Sequence, residues 1–85
     1  MALVLLIDDD GFYRGLIERA LTDEGHHVVA AENGLEGIAS YQDRRPDLVI
    51  TDMRMPGIGG GEVIRTLRKL NAQVRIIAIS GEATF

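Results

Sequence analysis

Apolar and polar positions alternate along the chain in two distinct rhythms. Leu3 to Ile7 is an unbroken apolar run, the pattern of a strand buried on both faces. "GFYRGLIERALTDEG" follows, with Phe12, Leu16, Ile17, Ala20 and Leu21 on one helical stripe and Gly25 as a stop. "HHVVAA" reads as a short strand. "ENGLEGIASYQDRRP" reads as a turn and a helix: Asn33 caps it with Glu36 three residues on, Leu35, Ile38 and Ala39 are expected inward, and Pro46 lies past the end. "DLVITD" is a third strand. "GIGGGEVIRTLRKLN" is a glycine-rich loop leading into a helix with Val63, Ile64, Leu67 and Leu70 on one side. "VRIIAIS" is a fourth strand. The order β-α-β-α-β-α-β predicts an α/β fold, a parallel sheet with helices on its faces.

In open α/β sheets, sites form outside the carboxyl ends of strands. Three strands here end in polar residues: the first in Asp8-Asp9-Asp10, the third in Asp52, the fourth in Ser80. Parallel strands lie roughly 4.8 Å apart. If the first and third are neighbours, Asp8, Asp9 and Asp52 converge. Carboxylates that close repel, and at least one pKa rises unless a cation intervenes. Mg2+ takes oxygen ligands, keeps several waters and uses carboxylates together with a phosphate. A carboxylate such as Asp52 can also accept a phosphoryl group as an acyl phosphate, and a metal neutralises charge on the transferring oxygens. Ser80 offers a hydroxyl to one of those oxygens. The competing structural explanation is solvated acids at strand ends and a serine bonded to its own backbone.

Composition narrows the partners. With 85 residues, one domain spanning 1–85 is the ceiling, and so short a chain buries only somewhat over ~60% of its unfolded surface. The net charge of -4 disfavours nucleic acid or an anionic membrane as the main partner. There is no cysteine, so disulfide and thiolate chemistry are excluded. "MALVLLIDDD" is too short an apolar run to span a membrane and lacks a basic flank or cleavage site, so a cytoplasmic location is expected. His26-His27 opens a strand with its side chains on opposite faces, which argues against a shared metal.

At the acidic residues the sequence resembles the receiver domain of bacterial two-component response regulators, a flavodoxin-like fold with strand order 2-1-3-4-5. "VLLIDDDGFYRGLIERAL", "GHHVVAAENGLEGI", "PDLVITDMRMPG" and "VRIIAISGEA" carry the resemblance over almost the whole chain. It implies a phosphoacceptor signalling domain, not an enzyme acting on a separate substrate. By that resemblance Asp52 matches the phosphorylated aspartate. Asp9 matches a direct Mg2+ ligand, and Asp8 an acid acting mainly through water. The Arg54 backbone carbonyl completes the metal shell, and Ser80 matches the Ser/Thr that contacts the phosphoryl group. Met55-Pro56 matches the loop after the acceptor. The implied phosphodonor is a phosphohistidine on a sensor histidine kinase or phosphotransfer protein.

Two departures stand out. Gly59 stands where the family usually has an Asp that caps the next helix, and the run Gly57-Ile58-Gly59-Gly60-Gly61, with three consecutive glycines, is expected to form a mobile loop. The family also continues with a helix, a fifth strand ending in a lysine and a last helix, which the 85 residues do not include. Lys69 is no substitute, since it falls late on the third helix. The expectation is therefore a truncated, incomplete doubly wound sheet in the order 2-1-3-4, with strands three and four bare on the first helix's side. Two or three large side chains left wet there forgo ~1.5–3 kcal/mol each, so association into a homo-oligomer or an element swap through that face and the strand-four edge is expected.

Two other readings fit parts of the sequence. One is a receiver-like interaction fragment that is never phosphorylated. The other is a haloacid-dehalogenase-type phosphatase, since "LLIDDDG" holds Asp8-x-Asp10-Gly11 after an apolar strand, resembling that family's nucleophile motif. Which aspartate carries phosphate, Asp8 or Asp52, discriminates them.

Overall fold

The computed structural model describes residues 1–80. The strands are β1 (Leu3–Ile7), β2 (His27–Ala31), β3 (Leu48–Asp52) and β4 (Ile76–Ile79). The helices α1 (Gly11–Asp23), α2 (Gly34–Arg44) and α3 (Gly60–Leu70) connect them in turn. The sheet is parallel throughout in the order β2-β1-β3-β4, as expected. The end of the matching segment "VRIIAISGEA", from Gly81 on, lies outside the described residues. Among the described residues no helix is long and apolar enough to cross a membrane.

Caps set the helix ends. Asn33 Oδ1 accepts from the Glu36 N–H at 2.8 Å while Asn33 Nδ2 donates to Glu36 Oε2, so the expected pairing forms. Gly25, at φ 88°, turns the chain out of α1 in the left-handed region that glycine favours. Arg45 takes the same region at the end of α2, its guanidinium 5.3 Å from the Tyr41 ring centroid.

On one face of the sheet, α2 and α3 close over Leu5, Ile7 and Val49, with Val63, Leu67 and Tyr41 buried among them. The Tyr41 hydroxyl accepts from Asn71 Nδ2 at 3.0 Å and ties the far ends of the two helices together. The inward stripe of α2 differs from the expected one. Leu35 is 69% exposed and Ala39 is also exposed, whereas Gly34, Gly37 and Tyr41 are buried and Ile38 packs at the margin. The cause is close approach: a side chain at Gly37 would collide with Ile7. The helix therefore turns its smallest residues to the sheet.

On the opposite face, α1 lies over Val4, Leu6 and Ile50 through Ile17 and Leu21. The rest of its expected stripe points away. Phe12 is 71% and Leu16 53% exposed, Ala20 is exposed, and no residue of α1 is fully buried. The expectation of a bare β3 is corrected, because Ile50 is only 8% exposed within this cluster. For β4 it holds: Ile77, the register partner of Ile50, is 50% exposed, and β4 is the sheet's edge.

The glycine-rich loop is shorter than expected. Gly57, Ile58 and Gly59 stay outside the helix, with Gly59 the N-cap of α3 without a side-chain hydrogen bond, as the sequence implied, but Gly60 and Gly61 form the helix's first turn. Gly60 is buried, and a Cβ there would lie 2.5 Å from the Asp52 carbonyl oxygen and 2.7 Å from Met53 Cα. That turn is glycine because the backbone after β3 passes too close for anything larger.

Candidate functional site: an acidic cleft at the carboxyl rim

The apolar runs of β1 and β3 are neighbours, paired from Val4↔Leu48 to Ile7↔Thr51. They carry their acids to the same rim. Side chains alternate along a strand, so Val4, Leu6 and Asp8 share one face, as do Leu48, Ile50 and Asp52. That is the face beneath α1.

Three consecutive aspartates take three different positions. Asp8 is 3% exposed, and its N–H donates to the Ala31 carbonyl at 3.1 Å, extending the β1–β2 ladder. Its Oδ1 accepts from the Asp10 N–H at 2.9 Å. Asp9 is exposed. Asp10 caps α1, its Oδ1 accepting from the N–H groups of Phe12 at 2.9 Å and Tyr13 at 3.3 Å. On the other strand, half-buried Asp52 is the last residue of β3, and its Oδ1 accepts a long hydrogen bond of 3.4 Å from the Arg54 N–H. The chain beyond it is anchored by the Met53 N–H to the Ile79 carbonyl at 3.0 Å and the Gly60 N–H to the Met53 carbonyl at 3.1 Å.

One carboxylate oxygen from each of Asp8, Asp9 and Asp52 lies within 4.8 Å of the others. The three line a cleft of about 500 Å³ together with Ser80, with Tyr13 and Ile17 of α1 and Arg54 on its walls. All the residues expected at the site thus meet in one place. Burial pushes the Asp8 carboxyl above its ordinary pKa. The hydrogen bond from Asp10 works the other way, and the charges of Asp52, Asp9 and Asp10 add to the rise. Such a trio suits a hard divalent cation, which relieves the repulsion and takes oxygen donors from carboxylates. The residues present therefore fit Mg2+.

Sequence reasoning missed the capping role of Asp10 and the contribution of α1 to the cleft wall. An Asp directly before a helix is itself an N-cap signal. Tyr13 left no such signal.

Comparison with known proteins gives the family. Residues 4–85 match the family described as "Response regulator receiver domain". The chain is 40% identical over 80 residues to the transcriptional regulatory protein AfsQ1 of Streptomyces coelicolor, covering 94% of this chain and 35% of that protein. It is 38% identical over 78 residues to the chemotaxis protein CheY of Bacillus subtilis, covering 91% of this chain and 65% of that protein. The chain thus spans about one third and just under two thirds of the length of these two relatives. Among solved structures, the response regulator TrrA of Thermotoga maritima in complex with Mg(2+)-BeF aligns with a TM-score of 0.93 at 36% identity, over 98% of this chain and 72% of that one. TrrA in complex with the histidine kinase ThkA aligns at 0.91 and 35% identity, over 100% of this chain and 73% of that one. The chain belongs to the response regulator receiver domain family, a two-component signalling class with a CheY-like, flavodoxin-like fold.

Proposed function

We propose that the chain accepts a phosphoryl group on Asp52 from the phosphohistidine of a sensor histidine kinase or phosphotransfer protein. Asp8, Asp9, Asp52 and the Arg54 backbone carbonyl would hold Mg2+. The observation that carries this reading is the convergence of the three carboxylates from two adjacent strands within 4.8 Å. The solved complexes of TrrA, with Mg(2+)-BeF and with a histidine kinase, support it.

The transfer balances simply. A carboxylate oxygen of Asp52 attacks phosphorus, and the P–N bond to the donor imidazole breaks with its electron pair going to nitrogen. The products are an acyl phosphate on Asp52 and a free histidine. When bound, the ion neutralises negative charge on the carboxylates and the phosphoryl oxygens. Asp52 is only half-buried and opens on the cleft, so a donor can reach it. The Ser80 hydroxyl, on the same cleft, donates to a phosphoryl oxygen of the product.

The test is incubation with Mg2+ and a small acyl-phosphate donor, followed by mapping of added phosphoryl mass. Label on Asp52, absent from Asp52→Asn and abolished by chelation of the metal, is the expected result. Label on Asp8 would move the chemistry to the phosphatase motif. No label at all would favour a domain that works by contact alone, in which Asp52→Asn keeps its partner.

A further inference from the structure

Asp9 is the exposed member of the trio, yet its backbone is held from both sides. The peptide that follows it is fixed because the Asp10 N–H donates to Asp8 Oδ1 at 2.9 Å. The peptide that precedes it is fixed because Arg14 Nη1 donates to the Asp8 carbonyl at 2.8 Å. That carbonyl and the Asp9 N–H belong to one rigid plane, so fixing the oxygen fixes the start of Asp9. Arg14 is itself seated. It is half-buried, its N–H donates to the Asp10 carbonyl at 2.9 Å, and Nη2 lies over the first turn of α1, 3.5 Å from where a Cβ on Gly11 would stand.

The choice of acceptor is informative. A guanidinium beside an acid cluster ordinarily forks onto a carboxylate. Here it takes a backbone oxygen, and among the described residues Arg14 forms no ion pair with a carboxylate. Its bond therefore occupies no carboxylate oxygen of the trio.

We propose that Arg14 is a positioning residue: by holding the Asp8 carbonyl it fixes the peptide plane that carries Asp9, and so sets where the Asp9 carboxylate meets those of Asp8 and Asp52. The proposal rests on the reading of the trio as a Mg2+ site. Groups that orient metal ligands typically matter by 10–100-fold in affinity, so Arg14→Met should weaken Mg2+ binding by about tenfold or more. Arg14→Lys, which keeps a charged donor, should fall between Met and the parent.

Mg2+ titrations followed by amide NMR test this, because they reach weak dissociation constants and also read the metal-free chain. In that metal-free chain, Arg14→Met should shift the Asp9 and Asp10 amides. Against an Asp9→Asn background, the same substitution should weaken Mg2+ binding far less than it does in the parent, since the two act through one ligand. A folded Arg14→Met with parental affinity, or a loss undiminished in the Asp9→Asn background, overturns the assignment. If Arg14→Met does not melt cooperatively, Arg14→Lys decides by the same comparison. A parent chain that binds no Mg2+ would remove the metal reading along with this one, whereas unchanged affinity in the variants removes only the role of Arg14.

Discussion

Beneath α2 and α3, the sheet's side chains are sealed: Leu5, Ile7, Val49, Val63 and Leu67 are at most 1% exposed. Beneath α1, Val4 and Leu6 are equally dry, but the covering helix buries no residue fully and Ile77 at the margin is half in water. The two faces differ in how their helices approach. On the sealed side, Gly34, Gly37 and Gly60 let helix and backbone come within contact distance of Ile58, Ile7 and Asp52. On the α1 side, Gly15 has nothing within 4 Å of where its Cβ would be. The site uses both conditions. Its backbone is clamped from the sealed side, where α3 starts against the Asp52 carbonyl. Asp8 and Asp52 belong by parity to the looser side, where a cleft can open beside Tyr13 and Ile17.

The largest expected effect separates two leucines on two helices. Leu67→Ala, at a fully buried position of α3, should cost about 2–5 kcal/mol in denaturant unfolding. Leu16→Ala, at a position 53% exposed on α1, should stay within about 0.5 kcal/mol. Equal losses would mean that something covers α1 in solution and that the two faces are alike.

Two glycine substitutions sharpen the contrast, because their signs should differ. Gly60→Ala forces a methyl against backbone that cannot move aside, and overpacking of that kind costs about 1–3 kcal/mol. The gain in helix propensity, about 1 kcal/mol at most, offsets only part of it, because the methyl meets backbone and the cost lies toward the upper end of that range. Gly15→Ala, in open space on α1, should instead stabilise by about 0.5–1 kcal/mol. Thermal melts of the two variants beside the parent check both signs. A stabilised Gly60→Ala would show that α3 does not start against the Asp52 carbonyl.

These glycines also mark what the sequence could not reveal. The strands were legible because short runs such as "LVLLI" and "LVI" are apolar at both parities, as burial on both faces of a sheet requires. The cap at Asn33 was legible because Asn and Glu three apart carry their mechanism in their spacing. The acid trio was legible once the strand order was in hand, since β1 next to β3 follows from the family resemblance and not from periodicity. The inward face of α2 was not, and that of α1 only in part: Ile17 and Leu21 pack as expected, but Phe12 and Leu16 do not. A pattern of apolar side chains assigns Leu35 to a core, whereas the close packing of α2 is made by residues with no side chain, and Gly37 carries no hydrophobic signal. Likewise the triple glycine reads as slack when it is in part a steric requirement of the backbone beside Asp52.

The smallest expected effect concerns Asp8, which is 3% exposed although it stands at the rim of the looser face. Burial raises its carboxyl pKa above the ordinary 3.8, so the folded chain holds that proton more tightly than the unfolded chain. The sign follows from linkage. Asp8 favours folding below the unfolded value, and that contribution is lost as pH rises through the folded value. At neutral pH without metal, the buried charge therefore opposes folding. Asp8→Asn keeps an oxygen for the Asp10 N–H and removes the charge. In metal-free buffer it should be more stable than the parent at pH 7, with the advantage shrinking as pH falls toward 4. Added Mg2+ should narrow the gap at pH 7 from the other side, because a ligand bound only by the folded state stabilises the parent by mass action. Denaturant midpoints across pH, with and without the ion, measure both. An advantage for Asp8→Asn that does not vary with pH would show that water reaches this carboxylate freely, and that the α1 face is open all the way to the site.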